Sequence, residues 1–404
     1  MKILMVCHFV PYPPHGGSLQ RTYNLLKEIS KKNEVHLLAL NQKALLPDNR
    51  AIAEAIKGLG HICKSIEIFD IPSDRSKMAW FWLLFANTFW LTPYSVWRFN
   101  SKELRAKIKS RILVDHFDLV HFDTIDLAQY RDVVGSTSVA LNHHNFESAL
   151  LKRRGKNRNN LAAKSYFYWQ AWKLARYERE MIGKVQVNLV CSEKDRQQLQ
   201  ILQPRGRYEL IPNGTDIDYF RPQDSHPAKE LIFVGGLNWY PNEDAMIYFC
   251  GHVLPIIKKR VPEVVIHIVG QKPPEKLHKM AAGDSSIRLY GFVKDIRDYV
   301  PRASVFVVPL RVGGGTRLKI LDAFACGKAV VSTTIGCEGI AVTNEQDILI
   351  GDSAEEFAQK VIQILEDDAL RKKLERNARL LVEQKYSWRA IGQDLENVYE
   401  SVIK

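Results

Sequence analysis

Short apolar runs rich in Val, Ile and Leu alternate along this chain with longer stretches of helical periodicity. "KILMVC", "EVHLLAL", "ICKSIEIF", "LVHFD", "SVALNHH" and "VQVNLVCS" read as strands, several of them nearly continuous in apolar residues. Strands of that kind are covered on both faces, which is the signature of a parallel sheet rather than an antiparallel one. Helical patterns such as "SLQRTYNLLKEIS" and "DNRAIAEAIKGLG" lie between several of them and supply the crossovers that parallel pairing needs. In "CSEKDRQQLQ" a Ser with an Asp three residues on resembles a capping box that opens a helix directly after a strand.

The alternation breaks once. "IPNGTDIDYFRPQDSHPAKE" is rich in Pro, Asn, Gly and Asp and reads as a linker over 213–228. Beyond it the pattern restarts with "LIFVGGL", a helix over about 242–259, "VVIHIVG", "IRLYGFV", "SVFVVPL", a helix over about 316–326 and "AVVST". With 404 residues there is enough chain for two full cores. The expectation is therefore two doubly wound α/β domains, over 1–212 and 229–385. Ligands of such sheets bind beyond the C-terminal ends of the strands. The amphipathic closing segment 386–404 is expected to pack back on the first domain.

Composition limits the function classes. The six cysteines are scattered without metal-ligand spacing, so they read as small core residues of a reducing compartment. "MKILMVCHFV" lacks the features of a signal peptide, and a cytoplasmic chain is expected. The net charge of +12 is uneven: residues 1–228 carry 33 Lys and Arg against 22 acidic residues, whereas 229–404 carry 24 against 23. The first half thus faces something anionic. "KRRGKNR" (Lys152 to Arg158) concentrates that charge, but no nucleic-acid-binding motif accompanies it, and nucleic acid is not the expected partner. "MAWFWLLFANTFWL" (Met78 to Leu91) is too short to span a bilayer, which needs about 20 residues. It reads either as an interfacial segment at an anionic membrane surface, peripheral to the inner leaflet, or as a helix buried on all sides.

The stretch with most chemistry is "PLRVGGGTRLKILDAFACGKAVVST" (Pro309 to Thr333), where glycines and two cations precede a helix. Gly313, Gly314 and Gly315 let backbone N–H groups approach an anion, Thr316 would cap the helix, and Arg317 and Lys319 would neutralise phosphate charge. Asp322 lies three residues past Lys319, on the same helix face. Gly16 and Gly17, after "PYPPH" and before a helix, would offer backbone donors from the first domain. No metal is expected and no cofactor is implied, since the cysteines have no metal-ligand spacing.

The order "PYPPHGGSLQRTYNLL", "IPNGTD", "FVGGLNWYPNEDA", "YGFVKD" and "PLRVGGGTRLKILDAFACGKAVVSTTIGCEGI" resembles the retaining family 4 glycosyltransferases of GT-B fold over nearly the whole chain. The resemblance implies two Rossmann-like domains facing across a cleft. It also implies transfer of a sugar from a nucleotide-sugar donor, held mainly by the second domain, to a glycan or lipid-linked acceptor. It assigns Asp322 to the ribose hydroxyls, Phe292 and Val293 in "YGFVKD" to the base through their backbone, and Glu338 to the frame of the sugar. It puts a histidine of "NHHNFES" near the reacting carbon, with His144 fitting better than His143. Retention would follow from front-face attack, in which the leaving phosphate takes the acceptor's proton.

Two departures stand out. Of the family's two signature glutamates, the second falls on Asp322 and the first on Gly314, which has no side chain. The segment after "FVGG", where relatives carry an Arg and a Lys for the diphosphate, contains neither. Arg317 and Lys319 would take over that charge. The competing expectation is a nucleotide-sugar epimerase of the same fold, which would share the phosphate cradle but lack an acceptor site. A nicotinamide-dependent Rossmann enzyme is excluded because no Gly-x-Gly-x-x-Gly run follows the first strand.

Overall fold

Among the described residues thirteen strands form two sheets, and every strand pair within them is parallel. The computed structural model describes the chain except for His15, Ser76, Asn157, Asn159, residues 224–227, Gly314, Gly315 and Lys404. It divides into two compact units, Met1–Pro212 with Ile391–Lys404, and Asn213–Ala390.

The first unit holds β1 (Lys2–Cys7), β2 (Glu34–Asn41), β3 (Ser65–Asp70), β4 (Leu119–Phe122), β5 (Ser138–His143), β6 (Val187–Val190) and β7 (Tyr208–Leu210), in the order β3-β2-β1-β4-β5-β6-β7. Its helices are α1 (Gly17–Ile29), α2 (Asn49–Leu59), α3 (Lys77–Phe89), α4 (Tyr94–Arg98), α5 (Lys102–Asp115), α6 (Glu147–Lys156), α7 (Leu161–Ile182) and α8 (Glu193–Leu202). The apolar strand residues are buried: Ile3, Leu4, Met5 and Val6 of β1 expose nothing. Ser192 opens α8 in the manner its sequence suggests, its Oγ accepting from the Asp195 amide at 3.1 Å.

The second unit holds β8 (Ala228–Val234), α9 (Tyr240–Tyr248), α10 (Leu254–Arg260), β9 (Val265–Val269), α11 (Glu275–Gly283), β10 (Ile287–Gly291), β11 (Ala303–Val308), α12 (Leu318–Ala325), β12 (Ala329–Ser332), β13 (Leu349–Ile350), α13 (Ala354–Glu366) and α14 (Asp368–Leu381). Its sheet order is β10-β9-β8-β11-β12-β13, with apolar clusters on both faces. The helix expected over 242–259 is α9 and α10 joined by a π-helical turn, Phe249–Val253. Pro255 sits at the start of α10 and has no N–H for the carbonyl four residues back, so the regular ladder is interrupted there. The helix expected over 316–326 is shorter, 318–325. Arg317 occupies its cap position without a side-chain cap bond, so Thr316 does not cap it.

The linker residues lie within the second unit. Thr215 pairs with Ser387 in an isolated bridge, and its Oγ1 donates to Asp322 Oδ1 at 2.6 Å. The closing helix α15 (Trp388–Ile403) passes from one unit into the other. In the first unit Tyr399 is fully buried and its hydroxyl lies 2.6 Å from His121 Nδ1. Gly392 lies so close to α1 that a Cβ there would meet Glu28.

Burial lowers the His121 pKa to about 4. A histidine whose folded pKa is depressed favours the native state above its unfolded value near 6.5, and that contribution is lost as the pH falls from about 6.5 to 4. Tyr399→Ala removes a buried aromatic and strands His121, and should cost about 3–5 kcal/mol in urea unfolding of the first unit. Tyr399→Phe should cost about 1–3 kcal/mol, since only the hydrogen bond is lost. Equal midpoints for wild type and Tyr399→Ala would rule out the docking of α15 as a stabilising element.

Candidate functional site

In each unit the first strand is flanked on one side by the second and on the other by a later strand, so chain direction across the sheet reverses beside β1 and beside β8. Loops leave such a point in opposite directions and open a crevice at the strands' C-terminal ends. Of the residues singled out from the sequence, Gly313, Arg317 and Lys319 stand at the point in the second unit and Gly16, Gly17 and His144 at the point in the first, whereas Phe292 and Val293 follow the edge strand β10.

In the second unit the loop after β8 carries Gly235 and Gly236, and the loop after β11 carries Gly313 and Arg317. Lys319, in the first turn of α12, sends its Nζ to Asn242 Oδ1 at 2.9 Å and lies 4.1 Å from the Phe233 ring centroid. A Cβ on Gly235 would collide with Lys319 Nζ and come within 2.9 Å of Asn242 Nδ2. The cation therefore stands at a loop, 235–239, that has none of its own. Gly313 has φ +134°, and a Cβ there would come within 2.6 Å of Arg317 Nη2. Glycine is required on both counts. Gly314 and Gly315 lie outside the described residues. Arg317 is 4% exposed. Burial lowers its pKa, and the nearby charge of Glu338 opposes that.

Lys319 and Asp322 both line a cavity of about 20 Å³ with Val234, Ile296, Val300, Phe306, Ala323 and Cys326. That setting burdens both charges. Burial pulls Lys319 down to about 7, with Arg317 adding to the effect, and pushes Asp322 up to about 7 against the bond from Thr215. After β10, Phe292 is 77% exposed and Val293 packs partly on the core. Tyr290, at the base of that loop, is fixed by its hydroxyl 2.8 Å from His267 Nδ1. Asn242 escaped the sequence reading because an Asn at a helix start reads as a turn residue until a cation is seen to reach it.

In the first unit β1, β4 and β5 are neighbours, and their C-terminal ends carry His8, Asp123 and His144. Asp123 is buried, and its Oδ1 accepts from Thr22 Oγ1 at 2.9 Å. Its Oδ2 lies 3.4 Å from His8 Nδ1 and 3.3 Å from His144 Nε2. Although burial alone would raise its pKa, the two imidazoles outweigh that and hold the carboxyl far below the usual range. Asn142 braces the group, donating to the Asp123 carbonyl at 3.1 Å and accepting from the buried Arg21 at 3.0 Å. His143 takes a different part: it ends β5, faces Asn188 Oδ1 at 3.1 Å inside the core, and burial lowers its pKa to about 4. Gly16, with φ +97°, caps α1, and Gly17 begins it.

Nothing in the sequence spacing announces His8 and Asp123, because only sheet order brings them to His144. The sequence suggested no metal-ligating group. Among the described residues the fold assembles one candidate, His8, Asp123 and His144, whose ligand atoms all lie within 4.8 Å of one another.

The apolar run 78–91 is not buried on all sides. Phe81 is 68%, Trp82 63% and Phe89 75% exposed, and Met78, Phe85, Trp90 and Leu91 are exposed as well. Among its described side chains the fully buried one is the polar Asn87, while Leu83, Leu84 and Ala86 are half-buried. Asn87 accepts from Gln170 and from Lys173, each at 2.8 Å, and Lys173 also donates to the carbonyls of Asn87 and Trp90. The cation thereby satisfies carbonyls at the C-terminal end of α3. Within "KRRGKNR" residues 152–156 form the end of α6, with Lys152, Arg153, Arg154 and Lys156 exposed. No helix among the described residues is long and apolar enough to cross a membrane.

Residues 228–367 match the family model described as glycosyl transferases group 1. A Klebsiella pneumoniae protein known as an uncharacterized 44.6 kDa protein of the cps region is 24% identical over 100% of this chain and 99% of its own length. A GDP-mannose-dependent monoacylated alpha-(1-6)-phosphatidylinositol monomannoside mannosyltransferase of Corynebacterium glutamicum is 24% identical over 48% of this chain and 56% of that protein. Among solved structures, Anabaena HepE in complex with UDP superposes with a TM-score of 0.67 at 15% identity, covering 99% of this chain and all of that one.

The two burdened charges carry a stability signature. A carboxyl raised from 3.8 to about 7 favours the fold at low pH and loses that contribution as the pH rises through 7. Asp322→Asn should therefore raise the unfolding free energy of the ligand-free protein at pH 8, by about 1–3 kcal/mol, and leave it nearly unchanged at pH 4. Denaturant midpoints at the two pH values decide it; an equal change at both would show that the carboxylate bears no such penalty.

Proposed function

Because the chain is a glycosyltransferase of GT-B fold whose residues 228–367 form a group 1 domain, we propose that it is a retaining, metal-independent enzyme. In this reading it moves a sugar from a nucleotide-sugar donor to a glycan or lipid-linked acceptor at an anionic membrane surface. The observation that carries the reading is the convergence of Lys319, Arg317, Asn242 and the Gly235 and Gly313 loops at the reversal point of the second sheet.

The second unit holds the nucleoside diphosphate. Burial disfavours the charged forms of Lys319 and Arg317, and a diphosphate beside them favours those forms. Asp322 accepts from the ribose hydroxyls, and the backbone at Phe292 and Val293 meets the base. In the first unit Gly16 and Gly17 add backbone donors, and His144, oriented by Asp123, hydrogen-bonds the transferred sugar. The acceptor hydroxyl attacks the anomeric carbon on the face from which the phosphate departs. As the C–O bond to the diphosphate breaks, a phosphate oxygen takes the acceptor's proton. With Gly314 at the first glutamate position, no carboxylate is required there. The exposed aromatics of α3 and the cations of α6 meet the membrane, and the mannosyltransferase relative bears the name of a lipid acceptor.

Calorimetric titration with UDP, GDP and ADP and their sugars identifies the donor. Arg317→Ala and Lys319→Ala should each weaken binding of the preferred nucleoside diphosphate by about 1.5–3 kcal/mol, the worth of a charge-assisted hydrogen bond. Unchanged affinity in both variants would remove them from the diphosphate site.

His144→Ala should lower kcat strongly and leave nucleoside diphosphate affinity within about twofold, because it acts on the sugar. EDTA should leave wild-type turnover unchanged. Loss of turnover in EDTA with recovery on adding a divalent metal would instead make His8, Asp123 and His144 a working metal centre.

A further inference from the structure

Beside the exposed aromatics lies a second apolar feature. An open groove of about 590 Å³ runs between α6, α7 and α8, walled by Phe146, Ala149, Trp172, Ala175, Ile201 and Leu202. Its rim is unusually apolar for a surface: Ile201 is 80% exposed and Trp172 is 52% exposed. The groove is continuous with α3 through a stacked pair. Trp172 lies on Trp169 with ring centroids 5.0 Å apart and planes 10° from parallel. The Trp169 indole donates to the Thr88 carbonyl of α3 at 3.3 Å. One end of the groove is charged: Lys152 belongs to its lining, and Arg153, Arg154 and Lys156 follow on the same helix.

We propose that this groove takes one hydrocarbon tail of an anionic, phosphate-bearing membrane lipid, with Lys152 and its α6 neighbours at the phosphate. The inference rests on the membrane-surface reading above and deepens it from a contact with the bilayer to a bound lipid. The apolar walls suit a chain of methylene groups. The cations suit the headgroup by charge, and their placement at one end of the groove gives the lipid a direction. A protein partner would meet the groove equally well by shape, but a cluster of cations beside aromatics at a membrane-facing surface selects an amphiphile with one negative end. Fixing a tail in a groove does what α3 lying in the interface does not do: it holds the enzyme at one lipid and in one orientation while the sugar is transferred.

The test uses the full chain with vesicles of phosphatidylcholine containing brominated phosphatidylglycerol, in which bromine quenches tryptophan fluorescence on contact. Three variants separate the parts. Trp172→Phe removes the reporter in the groove, Ala175→Phe fills the groove, and Lys152→Ala removes a headgroup cation. Wild type should bind, and its quenching should include a component that Trp172→Phe abolishes. Ala175→Phe should lose that component while still binding through α3. Lys152→Ala should weaken binding about fivefold, and only to vesicles with anionic lipid. Nucleoside diphosphate affinity, measured in parallel, should be the same in all three and reports that each is folded. Vesicle binding with no Trp172 component, or an Ala175→Phe variant quenched like wild type, overturns the groove and leaves the membrane surface standing. Failure of wild type to bind any vesicle overturns both, and leaves the nucleotide-dependent transferase untouched.

Discussion

A strand covered on both faces admits a polar side chain only where a neighbouring element supplies its partner, as Tyr399 does for His121 and Asn188 for His143. That constraint governs this protein, because every strand pair in its two sheets is parallel. Reactive side chains are pushed to the strand ends, and the C-terminal ends beside β1 and β8 are where the loops diverge and leave room. His8, Asp123 and His144 stand at the ends of three adjacent strands, and Gly235 and Gly313 follow two adjacent strands of the other sheet. Parallel pairing thus decides where the chemistry sits before any particular side chain decides what it is.

Each of these sites holds charge where the surroundings disfavour it, but the two units manage this differently. Asp123 is supported: Thr22 donates to it and two imidazoles hold its carboxyl ionised. Lys319 and Asp322 are less fully supported, one by Asn242 and an aromatic face, the other by Thr215. Groups left short of partners in the empty protein gain most when a ligand supplies them, which is how binding strength and a loss of native stability come to share the same residues.

The surface of the first unit shows the same principle turned outward. On α3 the polar Asn87 points in while Phe81, Trp82, Phe85 and Phe89 are exposed, and a buried lysine from α7 secures the arrangement by gathering the carbonyls at the helix end. Burial pulls Lys173 down to about 8, a cost that a helix packing its apolar face inward would not incur. Exposed aromatics gathered in this way mark a surface able to take an apolar partner, and the exposed cations of α6 belong to the same unit.

The sequence by itself determined the fold class. Unbroken apolar strands separated by helical periods leave a parallel, doubly wound sheet as the consistent solution, and a single Pro- and Gly-rich interruption between two such patterns divides the chain in two. The glycine-rich turn with Arg317 and Lys319 was legible as well, because glycine before a helix followed by cations has local chemical meaning. Local pattern did not reach the rest. Periodicity cannot register that Pro255 breaks a helix into two with a π turn, nor that the cap of α12 falls on Arg317, since both depend on which carbonyl each amide meets. A run of Trp, Phe and Leu has the same hydropathy whether it faces the core or the solvent, so only Asn87 and Lys173, far apart in sequence, settled which way α3 turns. His8, Asp123 and His144 lie on separate strands, and Asn242 and Lys319 on separate helices. Tertiary structure alone brought them together, because strand order is set by how whole faces pack and is not written in the spacing of any single segment.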